Sequence, residues 1–185
     1  MKTDITSVLV EEHKLILRMI ALLERNAELS ADAKYCNWQF YSDAIDFIRT
    51  YADRFHHAKE EDILFTALID NGMPKDHSPV GAMLMEHDQG RAWVRALESA
   101  VDKVQRGDIT ARAEIASNAR GYSELLREHI SKEDEILYPL SERILPENVR
   151  PAIQEGYRSA ELRSAPDLGA RYAALIEAYE QEQIA

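Results

Sequence analysis

Two stretches of this chain place histidine and glutamate four residues apart in the same order. His56-His57-Ala58-Lys59-Glu60-Glu61-Asp62-Ile63-Leu64-Phe65 aligns without a gap on His129-Ile130-Ser131-Lys132-Glu133-Asp134-Glu135-Ile136-Leu137-Tyr138. The shared pattern is His-x-x-Lys-Glu-acid-acid-Ile-Leu-aromatic. Residues four apart on a helix lie on one face, one turn along, so His56 points with Glu60 and His129 with Glu133. Both pairs fall on apolar stripes. A carboxylate buried there is costly unless it is paired, hydrogen-bonded or bound to a metal ion. Two buried glutamates, each beside a buried histidine, make metal the economical explanation.

His13 and His87 stand on the apolar stripes of two further helices. Each alone reads more readily as a satisfied core histidine, and the run Lys59-Glu60-Glu61-Asp62 alone reads as a solvated face. The combination outweighs those readings. Four imidazoles and two bridging carboxylates give each of two metals about four protein donors of an octahedral six, a set that suits iron. His57 and Glu61 rival His56 and Glu60. The repeat aligns His56 with His129 and Glu60 with Glu133, and His57 lies one turn from Asp53, so His56 and Glu60 are preferred. His77 falls in a loop and is set aside.

These residues need long helices to hold them, and the apolar period is helical throughout. About Asp4 to Glu28, the stripe is Ile5, Leu9, His13, Ile16, Ile20 and Leu23. About Trp38 to Ile69, it includes Ile45, Ile48, Ala52, Phe55, His56, Ile63 and Ala67, and Asn71-Gly72-Met73-Pro74 closes the segment. Ser78-Pro79 reads as a helix start. A third segment carries Val80, Met83, Leu84, His87, Val94, Leu97, Val101 and Val104 up to Gly107. A fourth, about Thr110 to Ile144, carries Ile115, Ala119, Tyr122, Leu126, His129, Ile136, Leu137, Leu140 and Ile144. The expected fold is all-α, an up-down-up-down four-helix bundle over residues 1–145. Residues 146–185 form a C-terminal helical extension packed on it, with one weak helix and a better one about Pro166 to Gln183.

Seven glycines and six prolines in 185 residues argue against a turn-rich β fold. A net charge of −11 makes nucleic acid and anionic membranes poor partners. The single Cys36 allows no internal disulfide. The N-terminus lacks the apolar core of a signal peptide and no stretch approaches a membrane span, so the expected location is cytoplasmic.

His13, then His56-x-x-x-Glu60 within Phe-His-His-Ala-Lys-Glu-Glu-Asp-Ile-Leu-Phe, then Glu86-His87, then His129-x-x-x-Glu133 resembles the hemerythrin-like, or HHE cation-binding, family over most of Asp4 to Ile144. The resemblance implies a four-helix bundle around two non-haem iron ions joined by an oxo or hydroxo group. It implies Glu60 and Glu133 as bridging carboxylates and His13, His56, His87 and His129 as terminal ligands. Oxygen carriers of the family have a fifth histidine one turn before the third-helix ligand, where this chain has Met83. The pattern is therefore similar to the four-histidine, two-glutamate type, with more open metals.

The functional expectation is a protein that binds, senses or reacts with dioxygen, peroxide or nitric oxide, with weak redox activity an open question. The alternative is a metal-stabilised helical interaction module acting in signalling or regulation. Tyr122, one heptad before His129, could approach the centre, although a structural tyrosine is the commoner case.

Overall fold

The computed structural model describes residues 3–183 of the chain. Helix α1 is Ser7–Ala31, and the Asp4 carboxylate caps its start by accepting hydrogen bonds from the amides of Thr6 and Ser7 at 3.0 and 2.8 Å. Helix α2 spans residues 38–70. It opens as an α-helix over Trp38–Phe47, capped by Asn37, runs through two π-helical stretches, Ile48–His57 and Glu60–Phe65, and closes as α-helix Thr66–Asp70. Helix α3 is Pro79–Gln105, with Ser78 Oγ accepting from the Gly81 amide at 3.2 Å and Pro79 at the first helical position. After a 3₁₀ turn at Ile109–Ala111, helix α4 spans residues 112–144. It is α-helical over Arg112–Lys132, π-helical over Glu133–Leu137 and α-helical again over Tyr138–Ile144.

Gly72 and Gly107 end α2 and α3 at φ values of 98° and 102°, a left-handed conformation that glycine adopts without a Cβ clash. These short connections make successive helices antiparallel. Helix α1 lies between α2 and α4, and α3 lies opposite it between the same two, which closes the expected four-helix bundle. Helices α5 (Arg150–Leu162) and α6 (Leu168–Glu180) follow. No helix among the described residues is long and apolar enough to cross a membrane.

The core is two apolar bodies separated by a polar layer. One contains Ile16, Leu23, Phe47, Ala52, Leu97, Ile115 and Leu126, and Tyr172 and Ile176 of α6 belong to it. The other contains Ile5, Leu9, Leu64, Phe65, Val80, Leu137 and Tyr138, and Ile153 and Tyr157 of α5 belong to it. Between them, along every bundle helix, stand the histidines and glutamates singled out above.

The π-helical stretches modify the expected stripes. A π turn takes in one more residue than an α turn, so positions beyond it rotate relative to a 3.6-residue period. In α2 this lets His56 and His57, adjacent in sequence, both be buried. In α4 the shift turns Ile136 outward, 58% exposed, and Ile144 likewise, 42% exposed, although both were expected inside. Tyr138, Ser141 and Leu145 face inward instead.

Candidate metal centre

Each bundle helix delivers one or two donors to the polar layer. His13 comes from α1, His56 and Glu60 from α2, His87 from α3, and His129 and Glu133 from α4. All six are at most 2% exposed.

Their nitrogens converge in two pairs. His13 Nε2 lies 3.0 Å from His56 Nε2, and His87 Nε2 lies 3.1 Å from His129 Nε2. Two donors at right angles on one ion, each at a bond length of about 2.1 Å, are themselves about 3 Å apart. Each pair is therefore spaced as two ligands of one ion would be. The carboxylates lie between the pairs. Glu133 Oε1 is 3.2 Å from His129 Nε2, and its Oε2 is 3.4 Å from His13 Nε2. Glu60 Oε2 is 3.7 Å from His56 Nε2 and 3.5 Å from His87 Nε2. Both Glu133 oxygens and Glu60 Oε2 are buried without a hydrogen-bond partner among the described residues. Three orphaned carboxylate oxygens are expensive in a protein interior. A cation pair between the imidazoles would satisfy all three, so the donor set fits a two-metal group.

The outer nitrogens are held just as regularly. His13 Nδ1 lies 2.8 Å from Asp134, His56 Nδ1 2.9 Å from Glu12, His87 Nδ1 2.7 Å from Glu61 and His129 Nδ1 3.0 Å from Glu86. A carboxylate at Nδ1 fixes the proton there and leaves the Nε2 lone pair facing inward. Three of the four carboxylates are anchored in turn. Lys59 bonds Glu12, Lys132 bonds Glu86, and Arg91 bonds Glu61 at 2.6 Å.

This assigns a role to every polar position of the repeat up to the acid after the glutamate. In both copies the histidine and glutamate face the centre, and the lysine anchors the acid that precedes the histidine of the neighbouring helix. The acid after the glutamate, Glu61 or Asp134, holds the histidine of the helix diagonal to that one. Lys59 is fully buried, not on a solvated face as its local sequence suggests, and it also reaches Glu161 of α5 at 3.1 Å.

The near two-fold arrangement breaks at two places. His57 occupies the position that Ile130 fills in the second copy. It is buried, and its ring stacks on His87 with centroids 3.8 Å apart. Its Nδ1 lies 3.5 Å from Asp53 without a hydrogen bond. Cation-competent groups form at His13, His56, Glu60 and Glu133 and at His57, Glu60, His87 and His129. The second group thus has a fifth imidazole within reach. The other break pairs Phe65 with Tyr138. Phe65 stacks on His87, and Tyr138 stacks on His13 and donates its hydroxyl proton to Glu60 Oε1 at 2.6 Å.

Burial and charge set the protonation of the layer when no metal is bound. Burial lowers the His13 imidazole, but Asp134, Glu133 and Glu60 overcome it and raise the group to about 9. The same balance, with Glu133 and Glu86 opposing burial, raises His129 to about 10. His56 has no such excess and burial takes it down to about 3. His57 is pushed well below its usual range by burial and the neighbouring His87. Burial opposes ionisation of Glu60, yet the surrounding imidazoles hold it well below the usual carboxylate range.

The sequence pattern points to the six central residues; it offers His57 and Glu61 only as rivals to His56 and Glu60 and gives Tyr138, Glu12, Glu86 and Asp134 no role. The Glu-His dipeptides Glu12-His13 and Glu86-His87 were the visible signal for two of those acids. His77 is exposed in the loop before α3, away from this layer.

The family model described as Hemerythrin HHE cation binding domain matches residues 4–141. No curated protein and no solved structure matches the chain.

Proposed function

Since this chain belongs to the hemerythrin HHE cation-binding family, we propose that it holds two iron ions and binds, senses or reacts with a small ligand such as dioxygen, peroxide or nitric oxide. His13 and His56 would hold one ion, His87 and His129 the other, and Glu60 and Glu133 would bridge them. The observation that carries this is the pair of buried carboxylates with orphaned oxygens between two convergent Nε2 pairs. Two iron ions held there would supply electron transfer and Lewis acidity toward a small ligand.

The chain supplies the setting. Asp134, Glu12, Glu61 and Glu86 retain the Nδ1 protons and orient the rings. Tyr138 donates its hydroxyl to Glu60 Oε1, so that the other oxygen faces the imidazoles. The two apolar bodies pack on either side of the layer and lower the polarity around it. Met83, the residue that replaces the oxygen carriers' fifth histidine, is buried in the second apolar body and offers no imidazole.

Elemental analysis of protein purified from iron-supplemented cells, paired with an absorption spectrum, tests the reading. Two iron atoms per chain, with near-ultraviolet bands lost in Glu60→Ala and Glu133→Ala variants that keep their helical content, support it. Near-zero transition metal in folded, wild-type protein overturns it.

A further inference from the structure

A cavity of about 250 Å³ joins the surface to one side of the polar layer. His57, His87 and His129 line its buried end, so it reaches the His87–His129 pair and not the His13–His56 pair. Its walls include the apolar side chains of Ile48, Val94 and Leu126.

The charge around this cavity runs against that of the chain. The protein carries −11 overall, yet four arginines and two carboxylates line the cavity. The carboxylates are committed: Asp53 pairs with Arg91 and Glu86 is held by Lys132. Arg49 and Arg91 are committed as well, to Glu98 and to Asp53 and Glu61. Arg54 and Arg95 are exposed and have no ion pair or hydrogen bond among the described residues. Two free guanidiniums thus flank the opening, where they attract a negative group and present donors matched to a carboxylate.

Deeper in, Tyr122 lines the cavity, is 2% exposed, and has a hydroxyl without a hydrogen-bond partner among the described residues. A buried phenol left unpaired costs stability unless a ligand accepts from it or donates to it. Apolar walls with a few convergent polar groups are the usual make-up of a small-molecule site.

We propose that this cavity binds a small organic carboxylate. Its anionic end meets Arg54 and Arg95, and its apolar body lies along Ile48, Val94 and Leu126. An acceptor on the body, a polar group or the face of an aromatic ring, takes a hydrogen bond from the Tyr122 hydroxyl. A bare inorganic oxyanion would use the arginines and leave the apolar walls empty. The proposal rests on the reading above only in taking the buried end of the cavity to be the metal centre.

Isothermal titration of the purified protein with benzoate, benzamide and nitrate tests it, with metal content measured on the same sample. Benzoate should bind, and the neutral amide and the inorganic anion should each bind more weakly by about tenfold or more. The double substitution Arg54→Gln and Arg95→Gln should weaken benzoate by about tenfold or more with helical content and melting unchanged. Equal affinity for benzoate and either control, no benzoate binding at millimolar concentration, or an unaltered double variant overturns the proposal. Benzoate binding to a metal-free sample leaves the carboxylate site standing while the metal reading falls. Metal-loaded protein that ignores benzoate removes the carboxylate site and leaves the metal reading intact.

Discussion

Glu12 and His56, 44 residues apart, meet through a 2.9 Å contact between Oε2 and Nδ1. Glu86 and His129 repeat that relationship across the other half of the bundle at 3.0 Å. The two acids differ in their anchors, because Lys59 is fully buried while the Lys132 side chain is 38% exposed. Replacing Glu12 by Ala leaves the buried Lys59 ammonium with the half-exposed Glu161 as its one remaining partner and should cost about 1.5–3 kcal/mol. Replacing Glu86 by Ala leaves a lysine that water can reach and should cost about 1 kcal/mol. Urea unfolding of the metal-free variants gives the ranking. Both substitutions should also weaken metal binding by about 10–100-fold in chelator competition, and equal stability losses would contradict the anchoring argument.

Tyr138→Phe removes one hydroxyl and keeps a ring like that of Phe65 at the related position. Glu60 Oε1 then loses its donor in a fully buried setting. The expected loss is about 1–3 kcal/mol in the metal-free protein. Unfolding curves that superimpose on wild type would show that the contact contributes nothing.

His57→Ala should act on one metal position only. His57 belongs with Glu60, His87 and His129 and is absent from the group around His13 and His56. Metal titration of the variant should show one affinity lowered by about tenfold or more and the other unchanged. Two unaltered affinities would remove His57 from any role at the centre, and two lowered together would refute its confinement to one position.

With His13 and His129 as ligands, metal and protons would compete for the same nitrogens. His13 and His129, raised to about 9 and about 10, are protonated at neutral pH in the metal-free fold. A raised histidine stabilises that fold fully below its unfolded value near 6.5 and loses this effect as pH climbs through 9 to 10. Metal needs the neutral rings. Metal uptake at about pH 7 should therefore release protons, and apparent affinity should rise between about pH 6 and about pH 9. Calorimetry in buffers of different ionisation enthalpy reads the protons directly, and uptake without release would refute the assignment of these two ligands. Chelation should also lower the melting temperature, since bound metal stabilises only the folded chain.

Helix periodicity made the bundle legible, and a gapless repeat made its central residues legible, because both are local patterns. The rest was hidden for identifiable reasons. A π turn changes the period over a few residues, so a 3.6-residue reading sent Ile136 inward and passed over His57. The supporting acids act on histidines of other helices: Glu61 holds His87 and Asp134 holds His13. Such pairings depend on tertiary placement, and in sequence the same residues read as charge runs. The cavity was invisible because its two free arginines, Arg54 and Arg95, lie on different helices and matter only together.

The polar layer that divides the core also gives the chain a seam. Each apolar body has its own covering helix, α6 on one side and α5 on the other. Without metal, the layer between them leaves Glu60 Oε2 and both Glu133 oxygens without a hydrogen-bond partner among the described residues, which makes it the costliest part of the bundle interior to keep closed. Amide exchange in the metal-free protein should therefore be fastest, within the bundle, around residues 56–60 and 129–133, while the two apolar ends stay protected. Bound metal would then work as a rivet: it would tie the two apolar ends into one cooperative unit and slow exchange across the seam more than anywhere else.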